Sequence, residues 1–456
     1  MKYVDENGLI EIKNKIDEVK NSSSRTATYV IASYNSSDIS KAGADYVLGE
    51  YECIAQAINK ILKQHEEKYT GGLKIQLTEG EFNQISEESI NINKDCVAIC
   101  GYGQSTCIKI VRQSKLLSND YLFNVTADYD FFLNDICLAT SYKNSSVGFV
   151  NIRTSSTHLT NVIFEALHIE NNIINIGDSS SNVEPILNIT ITNCVFSNVS
   201  RINAKENSSV IKINPNVKYV TINSCNFDIN YCNNIFDVYG KICKINNCNF
   251  KLKESSFLHC KGNASGSYLT LSDNHISLEK NKDSNTIISI EGHFNSISNC
   301  CFFVSTDESS EFYKYGDFIN IDGDNNKLLN SEIFLKNVCL RSAVCVLYGN
   351  NNIIQNFYNI YTNSSPHCAI YGNQNRIDGW CVIPSSNDGE TSTSLNLMGD
   401  SNTISNCSLY STNSFDVMGK NNKVIFNNLT TESEDVPNLS ESTINVGNII
   451  IQKNNQ

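Results

Sequence analysis

The chain is 456 residues long and acidic, with 35 Lys and Arg against 48 Asp and Glu and a formal net charge of −13. Its basic residues are scattered, so no basic groove is offered to phosphates and no nucleic acid is expected as partner. Met1 to Asn7 lacks the apolar stretch of a secretory signal, and no apolar run reaches the length of a bilayer. The expectation is a soluble product of the cytoplasm without membrane insertion. In that reducing compartment the 18 cysteines are expected as free core thiols. With no CxxC pair and no histidines at metal spacing, no metal and no cofactor are expected.

The first segment, residues 1–26, spaces Leu9, Ile12, Ile16 and Val19 as one stripe of an amphipathic helix or a very short coiled-coil seam. Asn21 to Ser24 then reads as a linker. Such a segment is either a place where copies or a partner dock, or a frayed tail. Residues 27–110 are mixed in character. Tyr29–Ala32 reads as a strand, Glu52–Gln64 as a helix with Ile54, Ala57, Ile58, Ile61 and Leu62 on one face, and Leu73–Leu77 as an alternating strand.

Residues 111–451 carry a phased repeat, clearest from Gly240 onward. Gly240, Gly266, Gly292, Gly323, Gly349, Gly372, Gly399 and Gly419 each have an aliphatic residue five places on, from Ile245 to Val424. Asparagine stands three places after six of them, at Asn295, Asn326, Asn352, Asn375, Asn402 and Asn422, and seven places after five, at Asn247, Asn299, Asn330, Asn356 and Asn406. Apolar residues four and two places ahead of the glycine, such as Ile288 and Ile290, alternate as in a strand with one buried face, and Cys300 and Phe302 alternate again beyond the second asparagine. Glycine and asparagine best tolerate the left-handed conformation of sharp bends, and stacked asparagines can bond from coil to coil. The glycines lie 20 to 31 residues apart, a solenoid period. Three strands and two bends per coil predict an all-β parallel β-helix of about 15 coils, extending about 70 Å at the usual strand spacing. The 52–64 helix would cap its open end, and residues 452–456 form a tail.

Several motifs carry competing readings. Gly101 to Thr106 has the glycines of a phosphate loop but neither the following lysine nor a helix pattern, so it reads as a tight bend. Asp322 to Asn326 hints at a calcium loop without its distal glutamate and is already explained by the repeat. The longest glycine spacing holds Asp307, Glu308, Glu311, Tyr313, Tyr315 and Asp317. Insertions in solenoids map to loops on one face, often the binding face. Glu308, Glu311 and Asp317 are therefore candidate acids or bases, and Tyr313 and Tyr315 candidate sugar contacts, set against a plain solvated loop. Asp128, Asp130 and Asp135 form a second acidic cluster near Tyr129 and Phe131. Trp380 stands where other coils carry cysteine or serine, which reads as structural, with an exposed sugar platform as the alternative.

The stretches Ala32–Val47, Ala55–Ile61, Gly71–Phe82 and Val97–Thr106 together resemble the opening of pectate-lyase-like β-helix proteins carried by bacteriophages, and Tyr3 to Leu9 resembles N-terminal anchors of tail fibre and baseplate proteins of phages of Gram-positive bacteria. The resemblance implies a right-handed parallel β-helix with a short N-terminal helical anchor and an α/β cap. It also implies a virion setting in a phage tail or phage-tail-like particle, as a tail fibre or tailspike that attaches to the host. The implied partners are two further copies in a homotrimer, other tail or baseplate proteins through residues 1–26, and bacterial surface polysaccharide. An enzyme on the same scaffold, a polysaccharide lyase or glycoside hydrolase acting as depolymerase, is the alternative. The acidic residues fall in loops rather than on strands, so glycan binding without cleavage is expected. One departure is that the repeat runs to about Ile451, where many phage spikes end in a separate module.

Overall fold

The computed structural model describes residues 26–452 apart from 69–70, 112–120, 141–146, 168–170, 180–183, 201–208, 231, 233, 254, 262–267, 280–285, 306–313, 316, 337–338, 341–342, 362–366, 385–392 and 432–437. The apolar stripe Leu9 to Val19 and Gly266 lie outside the described residues. Forty strands join one sheet. One coil shows how: Ile288–Glu291, a bend through Gly292, Ser296–Ser298, a bend at Asn299, Cys301–Ser305, and a longer connection to Ile319–Asp322. Each strand pairs in parallel with its counterpart one coil away, which yields three ladders. The first runs from Ile90–Ile92 to Asn438–Leu439. The second runs from Ala27–Ala32 to Ile444–Val446. The third runs from Gly80–Gln84 to Ile449–Gln452. The chain is a parallel β-helix, whose first coils lie within residues 27–110.

In-register pairing places like on like inside the coil. Phe164, Phe196, Phe227 and Phe250 stack with ring centroids 4.8, 4.4 and 4.6 Å apart, a continuous apolar column rather than a globular core. Cys248, Cys300 and Cys407 are buried free thiols. Trp380 is 1% exposed, which overturns the sugar-platform reading.

The bends follow two rules. At the second bend Asn247, Asn299, Asn330, Asn356 and Asn406 each take φ near 50°. At the first bend Gly292, Gly323, Gly349, Gly372, Gly399 and Gly419 have φ between 117 and 146°. A Cβ on Gly323 would lie 2.0 Å from the Gly292 carbonyl oxygen, so coil spacing as well as φ demands glycine there. Gly240 occupies the same phase outside the left-handed region. The asparagines three places after the glycine do not serve the bend through φ either, because the residue before each one is left-handed, from Phe294 to Asn421. They are buried and form an amide column. The N–H groups of Asn295, Asn326, Asn352, Asn375 and Asn402 donate to the Oδ1 of the next asparagine at 2.8–2.9 Å. The Nδ2 groups of Asn326, Asn375, Asn402 and Asn422 each donate to a glycine carbonyl at 3.0 Å.

The two ends differ. At the start, the helix Ile54–Lys68 lays Ile54, Ile58, Ile61 and Leu62 on the open core. Its Asn59 accepts from Asn91 N–H at 3.0 Å and donates to the Ser89 carbonyl at 2.8 Å, which satisfies the edge of the first ladder. The helix ends four residues beyond the expected Gln64. In the last coil the phase slips: Asn445 pairs with buried Val424, and Ile444 and Val446 point outward, about half exposed.

Two substitutions test the accounting of buried amides. Asn402→Ala removes the acceptor of Asn375 N–H and the donor to the Gly372 carbonyl. A loss of about 2 kcal/mol is expected at about 1 kcal/mol per bond, read as an earlier urea midpoint. Asn359 faces inward between Ile333 and Val382, with both amide atoms buried and unbonded. Asn359→Val is expected to move the midpoint later by about 1–3 kcal/mol.

Candidate functional site

Of the 305–317 connection, the described residues are Ser305, Lys314, Tyr315 and Asp317. Glu308, Glu311 and Tyr313 lie outside the described residues. Lys314–Tyr315 forms a short strand paired in parallel with Cys339–Leu340 of the next coil. Asp317 is committed to fastening that coil, with Oδ1 accepting from Ala343 N–H at 3.1 Å and Oδ2 from Asn320 Nδ2 at 3.2 Å. The Gly101–Thr106 segment is a bend within the strand Val97–Ile110: Thr106 Oγ1 accepts from Tyr102 N–H and donates to the Thr78 carbonyl. Asp324 likewise belongs to the repeat, with Oδ1 accepting from Asn350 N–H at 2.7 Å.

The second acidic cluster disperses, and one member enters a different site. Asp130 lies 3.8 Å from Cys96 Sγ and Asp135 accepts from Asn161 Nδ2 at 2.8 Å. Asp128 and Tyr129 instead line a cavity of about 300 Å³ together with Arg153, Asp178, Glu184 and Asn216. It sits at the first bends of neighbouring coils and is walled by the longer bend that follows Ile174–Ile176. Each wall is fixed by backbone bonding. Asp95 Oδ1 accepts from the N–H groups of Asp128 and Tyr129 at 2.8 and 2.9 Å, and Asn216 Oδ1 accepts from Asp178 N–H at 2.9 Å. Arg153 Nε lies 3.0 Å from Asp178 Oδ1. Tyr129 is 59% exposed at the rim. Three carboxylates, a guanidinium and a phenol ring around one concavity suit a hydroxyl-rich ligand, gripped by charge-assisted hydrogen bonds and stacking.

Sequence reading reached Asp128 and Tyr129 but missed Arg153, Asp178 and Glu184. The available signal was spacing: 128, 153 and 178 lie 25 residues apart, close to the 27 and 24 residues that separate Val125, Ile152 and Ile176 on the first ladder. Aromatic pairs also stack along the rod, exposed Tyr268 on exposed Phe294 at 5.6 Å and exposed Tyr348 on half-buried Tyr371 at 5.0 Å. Phe294 does so at φ 61°, where the following coils carry Asn, Gln or Ser.

No family model and no curated protein matches the chain. Two solved structures share its course. Tailspike protein 3 of bacteriophage CBA120 superposes over 97% of this chain and 60% of its own length, at 11% identity and a TM-score of 0.46. ORF18 of Geobacillus virus E2 matches over 89% of this chain and 66% of its own length, at 12% identity and a TM-score of 0.31. The chain thus spans under two thirds of either, and at these identities the likeness concerns the fold alone.

The Arg153–Asp178 pair is half open to solvent on the arginine side, where ion pairs contribute about 1 kcal/mol or less. Arg153→Ala is therefore expected to leave the urea midpoint almost unchanged. A large shift would make the pair a stability element rather than part of a binding site.

Proposed function

We propose that the chain is a structural and host-recognition component of a phage tail or contractile phage-tail-like particle, a fibre or spike that holds bacterial surface polysaccharide. The resemblance of its opening segments and its build as a stacked rod support this reading. The observation that carries the glycan part is the cavity that joins Tyr129, Arg153 and three carboxylates on the flank of the rod. Assembly as a homotrimer, with residues 1–26 docking onto other tail proteins, belongs to the same proposal. Mass photometry of the full chain should give three times the mass of 50.8 kDa, and a chain shortened to begin at Thr28 should dissociate.

Binding is tested by titrating capsular and cell-wall polysaccharide into the full chain. Micromolar affinity is expected, falling at least about tenfold in Tyr129→Ala and Arg153→Ala, the loss of one good contact. Unchanged binding in both variants would remove the cavity from the reading. A second reading, a depolymerase, is favoured by Asp128, Asp178 and Glu184 lining that one cavity, since glycoside cleavage uses an acid and a base or nucleophile held across the bond. Release of reducing ends or unsaturated uronates that disappears in Asp178→Asn or Glu184→Gln would establish it. Loss in Glu311→Gln instead would move the chemistry to the 305–317 connection.

A further inference from the structure

Outside this cavity, one outward column of the first ladder changes character along the rod. In early coils it is all asparagine: Asn91, Asn124, Asn151 and Asn175 stand on successive rungs. Their amides link at 3.5, 3.0 and 2.9 Å. Late in the rod two rungs of the same column are apolar and buried, Val346 and Ala369, ahead of Asn396 and Asp416. Between these stretches it reads Lys212 and then Asp237, His259, Ser289 and Asn320, five consecutive rungs each in register with the next. Parallel rungs are about 4.8 Å apart, so a carboxylate, an imidazole, a hydroxyl and a carboxamide stand in line at neighbouring positions.

The first two members are already coupled. Asp237 is 2% exposed although it faces away from the coil interior, and its Oδ1 accepts from Asn234 Nδ2 at 3.0 Å. His259 Nδ1 lies 3.3 Å from that same oxygen, and the imidazole remains 31% exposed. A buried carboxylate on Nδ1 fixes the tautomer that leaves Nε2 free to accept a proton. Tyr239 meets the imidazole edge to face at 6.3 Å. Burial, with Asp237 and Glu291 beside it, pushes the Tyr239 phenol above its ordinary pKa, so it stays protonated. Ser289 is half-buried on the next rung. No hydrogen bond joins it to His259 in this structure, and such bonds often close only on substrate. Asn320 spends one Nδ2 hydrogen on Asp317, and a carboxamide carries two.

We infer that Asp237, His259, Ser289 and Asn320 form a hydrolytic site for short carboxylic esters, such as acyl groups carried on a polymer. Ser289 Oγ attacks the ester carbonyl carbon while His259 Nε2 takes the hydroxyl proton. The second Nδ2 hydrogen of Asn320 faces the oxyanion. The carbon–oxygen bond to the alcohol breaks, His259 returns the proton to the leaving oxygen, and water then releases the acid from Ser289 by the same route. Asp237 is a positioning residue that acts through His259.

The test needs no glycan, so its failure is separable from failure of polysaccharide binding. The full chain is incubated with 4-nitrophenyl acetate, and separately with a fluorophosphonate probe followed by peptide mass spectrometry. Expected are hydrolysis above the uncatalysed rate and a single modified residue, Ser289. Ser289→Ala, a small change on an outer face, should keep the native circular dichroism and lower kcat at least about 100-fold. Asp237→Asn should lower kcat with KM unchanged. Absence of labelling at Ser289, or a folded Ser289→Ala variant that hydrolyses as well as the parent, overturns the assignment. Release of acetate from O-acetylated polysaccharide would identify the polymer-bound ester as substrate, and turnover confined to 4-nitrophenyl acetate would restrict the site to activated esters and remove the polymer from the assignment.

Discussion

The buried amide column from Asn295 to Asn422 is the constraint on which the later coils depend. At the first bend some N–H groups still bond to the next coil, as Gly323 and Asn325 do, but the N–H three places after the glycine and the glycine carbonyl lose their ladder partners while still inside the fold. Left unpaired, each would cost about 1–3 kcal/mol. The asparagine side chain supplies both missing partners at once, its oxygen to the N–H of the preceding coil and its nitrogen to a glycine carbonyl. Because each amide reaches across one coil spacing, the coils must stack in register. That register sets the buried residues Ile297, Leu328, Ile354, Ile377, Ile404 and Val424 one above the other.

The later coils were legible because their bends restrict residue type. Left-handed φ at the second bend, and left-handed φ with close approach at the first, leave glycine and asparagine as the residues that fit without strain. The earlier coils obey the same geometry with a different vocabulary. Their second bend uses Asp135, Asn161, Asn193 and Ser224, all at φ near 54°, and their first bend uses Cys96, Asp130, Ser156 and Asn188 at φ 54–59°. A left-handed residue at the second bend is therefore the deeper constant, and the glycine phase is a late addition at the first bend. The helix Ile54–Lys68 was legible from its apolar face, while its last turn was not, because nothing in the sequence stops it at Gln64.

Site residues were less legible for a related reason. Acidic and aromatic residues in a long connection attract attention by composition, yet Asp317 uses one oxygen to tie the next coil and the other to hold Asn320 of its own. Arg153 and Asp178 are each unremarkable in sequence, and only the coil length brings them beside Asp128. In a solenoid, neighbours in space are residues one period apart, so a site is read by phase rather than by proximity along the chain.

The outward column through Asp237 sharpens this point. The repeat fixes inward positions through the core and bend positions through φ, but it leaves the outward middle of each strand free. Asn151 and Asn175 show that a polar column can be satisfied there by amides alone, and Val346 and Ala369 show that an apolar one packs as well. Burying a carboxylate at such a position carries a desolvation penalty that neither solution incurs. Asp237 recovers part of it through Asn234 and His259, with Lys212 on the preceding rung. The fold does not require that group, and a local choice that works against stability without serving the architecture is where function is to be sought.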